Sequence, residues 1–261
     1  MKRKRQENVD HQISKPNALA YWASVSADDD GVLGGFPEVS PIDIAGSRAF
    51  LTELMLGKPP TSNQEIASND PGDEILFDRV VDCGAGIGRV TRNLLSQVAR
   101  TVDIVEPVKE LTDVVTASDS FKDLRDAGRI GDVFNVGLQD WVPPEGRRYD
   151  LVWTQWCLGQ LTDKEVVRYL KKLTGSQAGD GYLTRNSGKG WLVVKENIIT
   201  PQADGKEQDR FDKVDSSVTR TEGKFNKLFR QAGLEVVQEE KQSGLPEGLF
   251  PVMMWALMRV W

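Results

Sequence analysis

From residue 77 onward the chain alternates between short apolar runs and segments with helical spacing. This rhythm constrains the fold more than any other feature. Strand candidates lie at 78–83, 101–106, 132–137, 149–155, 190–196, 234–240 and 252–260. Helical patterns fill 88–98, 108–117, 163–173 and 220–232. Such alternation predicts a mostly parallel sheet with helices on both faces. The last two strands have no helix between them, so an antiparallel edge pair is expected there, joined by Ser243-Gly244-Leu245-Pro246. Upstream, helices are expected at 18–25 and 43–57, the second with Ile44, Phe50, Leu51 and Leu54 on one apolar stripe. Residues 58–74 and 174–189 read as surface loops. Residues 198–213 read as a polar loop just past a strand's C-terminal end, where open α/β sheets bind ligands.

The first strand-to-helix turn is Asp82-Cys83-Gly84-Ala85-Gly86-Ile87-Gly88-Arg89. Gly84 and Gly86 allow a tight turn and close approach of a ligand. The amides at the helix start favour a negative group. Glu106 ends the next strand, where a carboxylate accepts both hydroxyls of a ribose. The spacing departs from the dinucleotide fingerprint, because the third glycine comes one residue early and Arg89 fills the small-residue slot. An acidic residue two positions before a GxGxG loop resembles motif I of the class I S-adenosylmethionine-dependent methyltransferases. Arg89 is then expected to meet the methionine carboxylate. An adenine is expected against Leu138 and Gln139 in Gly137-Leu138-Gln139-Asp140-Trp141, and the methionine end beside Gln155-Trp156. Trp141 and Trp153 read as core packing.

Composition removes competing chemistries. The chain has one histidine, His11, and two cysteines, Cys83 and Cys157, with no CxxC. A Ser-His-Asp triad, a histidine-rich zinc site or a redox dithiol is therefore disfavoured, and no metal is expected. Two cysteines make no disulfide framework, which points to a reducing, cytoplasmic setting. The net charge of −6 supplies no global basic field for nucleic acid. No apolar run approaches the length of a membrane span. Lys2-Arg-Lys-Arg5 reads either as a solvated tail or as a nuclear import patch.

Several segments together resemble the protein α-N-terminal methyltransferases, which modify the free α-amine of proteins beginning Xaa-Pro-Lys or Xaa-Pro-Arg. They are Tyr21-Trp22, Gly31-Val-Leu-Gly-Gly-Phe36, Ile42-Asp43-Ile44, the glycine loop, Gly137-Leu-Gln-Asp140, Trp153-Thr-Gln-Trp156, Lys195-Glu-Asn197, Val214-Asp-Ser-Ser-Val218 and Leu245-Pro-Glu247. The resemblance implies a class I (Rossmann-like) fold with a seven-stranded, mostly parallel sheet and an N-terminal helical extension. It implies S-adenosyl-L-methionine as cofactor, held by Gly84, Gly86, Arg89, Glu106, Leu138, Gln139 and Gln155. It implies a peptide channel lined by Trp22, Leu33, Trp156, Asn197, Asp212, Asp215, Ser217 and Phe250. Glu106 stands where the family has aspartate, and Phe250 where it has tyrosine. The expected organisation is a tail at 1–17, an N-terminal extension and loop at 18–74 that contributes to the channel, and a catalytic domain at 75–261. The implied partners are the N-termini of Xaa-Pro-Lys/Arg proteins, ribosomal proteins among them, met by a monomer without nucleic acid or membrane.

The implied reaction needs a neutral amine, since the substrate's α-amino group has an ordinary pKa near ~8. Asp212 and Asp215 suit an ammonium and a following Lys or Arg. Trp156 offers a flat face to proline, and Asn197 offers hydrogen bonds. Asp215-Ser216-Ser217 also reads as a helix N-cap before 219–232, and Tyr21-Trp22 as a staple of a small helix. The family's histidine after the Gln-Trp pair is replaced by Gln160. Glutamine takes no proton near neutral pH. Asp215 is therefore expected as base or proton relay, with Gln160 orienting the amine or a water. The competing readings are a class I methyltransferase of another substrate, a silent cofactor-binding scaffold, and a dehydrogenase, the last disfavoured by the loop spacing.

Overall fold

The computed structural model describes residues 9–56, 76–175, 181–184, 190–200 and 208–259. The Lys2–Arg5 run, the loop at 58–74 and most of the 174–189 segment lie outside these residues.

Five parallel strands form the centre of the sheet: β1 (Phe77–Cys83), β2 (Ala99–Val105), β3 (Ile130–Phe134), β4 (Leu151–Gln155) and β5 (Trp191–Ile199). Their spatial order is β3-β2-β1-β4-β5. At the far edge, β9 (Val252–Arg259) runs antiparallel to β5, and β8 (Leu234–Lys241) runs antiparallel to β9. These are the seven strands of the sequence rhythm, in the mostly parallel arrangement that the resemblance implies.

The strands read as continuous apolar runs because both faces are covered. Successive residues alternate between two cores. Val80, Leu151, Trp153, Val193, Met254 and Ala256 face one. Val81, Val152, Leu192, Val194, Met253, Trp255 and Leu257 face the other.

The helices supply the covering faces. α1 (Lys15–Trp22), the single-turn α2 (Asp29–Val32) and α3 (Val39–Leu56) precede the sheet. Phe50 and Leu51 of α3 seal the first core beside Leu94 and Leu95 of α4, residues 89–98. α4 contains a π turn at Thr91–Leu95. Such turns concentrate at functional sites, and here Thr91 Oγ1 donates to the buried Asp82 carboxylate at 2.6 Å. α5 (Lys109–Ala117) and α6 (Lys122–Asp126) cross from β2 to β3. α7 (Asp163–Thr174) carries a Thr162/Glu165 capping box and buries Val166, Tyr169, Leu170 and Leu173 on one helical stripe. α8 (Glu222–Gln231) does the same with Phe225, Leu228 and Phe229, capped by Thr221.

Three expectations are corrected. Within the loop expected at 198–213, residues 198–199 belong to β5 and residues 210–212 form β6 (Arg210–Asp212), while 201–207 lie outside the described residues. β6 makes a hairpin with β7 (Ser217–Thr221), which replaces the N-cap reading of Asp215-Ser216-Ser217. β7 pairs with Ile198 and Ile199, extending the sheet beyond the point where β9 leaves β5. Buried Val218 and Arg220 anchor it; Arg220 donates to the carbonyls of Leu158 and Leu161 at 2.9 and 2.5 Å. The tail expected through residue 17 is ordered from Val9, because its polar groups find partners on the body. Asp10 Oδ2 accepts from Asp163 N at 2.8 Å, Ser14 N donates to Ser216 Oγ at 2.8 Å, and Lys15 Nζ pairs with Glu165 at 2.9 Å. Residues 9–22 thus form a strap across the loops that follow β4 and β6. No helix among the described residues is long and apolar enough to cross a membrane.

Candidate active site

The C-terminal ends of β1, β2 and β4 open into a cavity of about 390 Å3. The β1 turn forms its floor. Gly84 has φ +72°, and a Cβ there would sit 2.4 Å from Cys157 Cβ. Only glycine fits this position without displacing the facing loop. Glu106 forms one wall. Its two oxygens accept from Gly86 N at 3.0 Å and Val108 N at 2.9 Å. Burial raises its pKa, and those two amides pull it back. Each carboxylate oxygen retains acceptor capacity toward the cavity. Apolar Val108, Leu111 and Leu138 and the polar Asn135, Gln139 and Asp140 complete that end.

Arg89 lies at the opposite end, 5% exposed. Its Nη1 is 2.7 Å from Asp43 Oδ2, and its guanidinium lies 5.5 Å from the Trp156 ring centre. Gln155 lines the same end, but its amide is engaged: Oε1 accepts from Trp153 Nε1 at 2.9 Å, and Nε2 donates to Asp43 at 2.9 Å. Gln139 Nε2 donates to Asp140 at 2.8 Å.

A second cavity of about 270 Å3 adjoins the first and shares Trp22, Val32, Leu33, Trp156 and Gln160 with it. Tyr21, Asn197, Asp215, Ser217 and Phe250 line only the second. Trp156, at the junction, has φ +53°. That is rare for a bulky residue and costs on the order of 1–3 kcal/mol, so the surroundings must enforce it. Trp156 N donates to Lys195 O at 3.0 Å, and the next two amides, of Cys157 and Leu158, both donate to Glu196 Oε1 at 2.9 and 2.7 Å. Lys15 Nζ binds the Gln160 carbonyl at 2.6 Å, so the strap fixes the same turn.

Asp215 is half-buried in the hairpin turn. Its Oδ1 accepts from Ser217 N at 3.1 Å and Ser217 Oγ at 2.7 Å. Its pKa is raised, mostly by burial, opposed by the Ser217 hydroxyl and then reinforced by the charge of Asp212. The Tyr21 hydroxyl is raised too, by burial and then by the fields of Asp215 and Asp212. Asp212 lines neither cavity; its Oδ1 accepts from Val214 N at 2.8 Å. His11 is exposed on the strap and lines neither cavity.

The sequence reading thus brought together every named site residue except Asp212, which acts on the site only through its field. It assigned no role to the buried Asp43, Lys195 and Glu196. Their signal was present: charged residues inside an otherwise apolar helix face and strand require partners.

Glu196 is buried, and that burial pushes its carboxyl from about 4.5 up to about 7 against the pull of the Leu158 and Cys157 amides and Arg220. An acid raised in the folded state contributes stability below its unfolded pKa and loses it as pH climbs through the folded value. Glu196→Gln is therefore expected to flatten the fall in Tm between about pH 5 and pH 7.5 relative to the unsubstituted protein, measured by calorimetry across that range.

Comparison with known proteins bears directly on this site. Residues 10–258 match the family described as AdoMet dependent proline di-methyltransferase. The chain belongs to this family. It is 39% identical over 244 residues to alpha N-terminal protein methyltransferase 1 of Schizosaccharomyces pombe, covering 93% of this chain and 94% of that protein. It is 32% identical over 240 residues to N-terminal Xaa-Pro-Lys N-methyltransferase 1 of Xenopus tropicalis, covering 92% and 93%. A solved SAM-dependent methyltransferase of Leishmania major superposes with a TM-score of 0.68 at 32% identity, covering 93% of this chain and 82% of that one. This family member is an S-adenosylmethionine-dependent methyltransferase. The first cavity fits that cofactor: glycine backbone on its floor, a buried carboxylate for a ribose, an apolar wall for a base, and an arginine for a carboxylate.

Proposed function

We propose that the chain methylates the free α-amino group of proteins that begin Xaa-Pro-Lys or Xaa-Pro-Arg, using S-adenosylmethionine. The observation that carries this reading is the meeting of two cavities at Trp156 and Gln160, with Asp215 and Asn197 lining the second and not the first. Such a site presents an amine to a methyl donor across a shared wall and aligns the two.

Bound in the first cavity, S-adenosylmethionine supplies a methyl group on a positively charged sulfur. Arg89 holds its carboxylate, Glu106 its ribose hydroxyls, and Leu138 and Gln139 its base. Gln155 contributes through Asp43 and Trp153 rather than with a free amide. In the second cavity Asp215 accepts a proton from the substrate ammonium. Its raised pKa brings it closer to the amine's own, which favours the transfer. Gln160 and Asn197 orient the amine by hydrogen bonds. Trp156 packs on the proline ring, while Trp22, Leu33 and Phe250 line the channel. Ser217 holds Asp215 in place. Asp212 adds negative field for the ammonium and for the Lys or Arg at the third position.

The substrates are proteins that expose such a start after removal of methionine, ribosomal proteins among them, in the cytoplasm and the nucleus. Mass spectrometry of peptides starting Ser-Pro-Lys, Ser-Gln-Lys and Ser-Pro-Glu tests the sequence requirement. Methylation of Ser-Pro-Lys well above both controls is expected. Equal rates for all three contradict it.

A further inference from the structure

Asp43 sits on α3, in the N-terminal segment expected to contribute to the peptide channel, and it points at the cofactor end. It is fully buried, as is Lys195 at the centre of β5. Asp43 contacts Arg89 Nη1 at 2.7 Å, Lys195 Nζ at 2.6 Å and Gln155 Nε2 at 2.9 Å. Lys195 Nζ further donates to Ser47 Oγ and to Gln242 Oε1, each at 2.8 Å. Side chains from three other elements, α4, β4 and β5, therefore converge on one carboxylate of α3.

The arrangement exceeds what burial of an ion pair requires. Lys195 alone would neutralise Asp43, and a buried pair gains little over an apolar substitute. Arg89 is a second cation on the same carboxylate, and it stands at the edge of the cavity that the buried Asp82 also lines. An arginine side chain has many rotamers, and it recognises a carboxylate in two-pronged fashion only when its plane is fixed. Asp43 Oδ2 lies 2.7 Å from Nη1 as an ion pair without hydrogen-bond alignment, and the Trp156 ring lies against the group.

We infer that Asp43, itself held by Lys195, is a positioning residue that sets Arg89 for the carboxylate of the cofactor, so that the N-terminal segment serves cofactor binding as well as the peptide. This rests on the cofactor site described above. Two ligands separate the roles: S-adenosylhomocysteine, which carries the carboxylate, and 5′-methylthioadenosine, which lacks it. Titration calorimetry is run on Asp43→Asn, Lys195→Met, the double variant and Arg89→Met, with Tm measured for each.

Loss of a charge-assisted contact corresponds to roughly a 10- to 100-fold drop in affinity. A drop of that size is expected for S-adenosylhomocysteine with Asp43→Asn, and unchanged affinity for methylthioadenosine. The double variant removes both buried partners, so its Tm is expected to exceed that of Lys195→Met, which leaves the Asp43 charge short of a partner. Its S-adenosylhomocysteine affinity is expected to stay low. Recovery of affinity together with Tm in the double variant would overturn the inference and assign the pair a purely structural role. Equal weakening of both ligands, or no weakening of either, overturns it as well. If Arg89→Met keeps the preference for S-adenosylhomocysteine, the cofactor assignment of Arg89 fails first, independently of Asp43.

Discussion

Asp215→Asn is expected to lower kcat by roughly 100- to 10,000-fold, the range spanned by loss of a general base. The substitution keeps the shape of the side chain and an oxygen able to accept from Ser217 N and Oγ, so the turn survives. What disappears is the ability to take a proton. Gln160 does not titrate near neutrality, and His11 is exposed on the strap outside both cavities. Glu196 also lines the second cavity, but its Oε1 is committed to the Cys157 and Leu158 amides. Asp215 lines only the second cavity, so affinity for S-adenosylmethionine is expected to remain unchanged. Turnover by mass spectrometry and cofactor binding by calorimetry measure the two effects separately. Turnover near that of the unsubstituted protein would remove Asp215 from the mechanism. The pH–rate profile of the intact protein is expected to show no imidazole step, with proton removal resting on Asp215 and on the amine itself.

Gly84→Ala is expected to abolish productive cofactor binding. The backbone at φ +72° alone disfavours a side chain by roughly 1–2 kcal/mol. The larger effect is steric, because the new Cβ would lie 2.4 Å from Cys157 Cβ and 2.8 Å from its Sγ. The Cys157 turn has little room to retreat, being tied to Glu196 through two amides. The glycine loop must therefore move, taking with it Gly86 N and its bond to Glu106. Gly86→Ala provides the contrast. Its φ of +55° carries a similar backbone strain, but its Cβ would meet only Val32 Cγ1, at 3.7 Å. Tm is expected to fall more for Gly84→Ala than for Gly86→Ala, and calorimetry with S-adenosylmethionine is expected to detect no binding to the former. Equal Tm values would place the constraint in the backbone alone.

The parts of this molecule that were legible in the sequence share a cause. Strands such as Val80-Val81 and Leu192-Val193-Val194 are buried on both faces, so they stand out as apolar runs whichever register they take. The glycine loop, Arg89 and Glu106 are legible because few backbones need those residue types in that order.

The hairpin β6–β7 was not legible. Its strands are short and polar, and much of its inward anchoring comes from Arg220, whose guanidinium caps carbonyls inside the protein instead of facing water. Pattern reading treats an arginine as exposed. The strap at residues 9–17 was missed for a related reason: Asp10, Ser14 and Lys15 hold it by polar contacts with partners distant in sequence. Asp43 and Lys195 sit inside buried elements, where each charge is accounted for by the other. A sequence shows that two such charges need partners, but only the fold brings α3 and β5 together.

By the proposed function, the second cavity takes a free amine at the start of a chain, not a side chain. The most direct test is mass spectrometry of one Ser-Pro-Lys peptide in two forms, with a free and with an acetylated N-terminus, incubated with the protein and S-adenosylmethionine. Methyl groups on the α-nitrogen of the free peptide, and none on the acetylated copy, are the predicted result. Methylation of the acetylated peptide at a similar rate would contradict the account, because an amide nitrogen has no ammonium for Asp215 to deprotonate and the acceptor would then be the lysine.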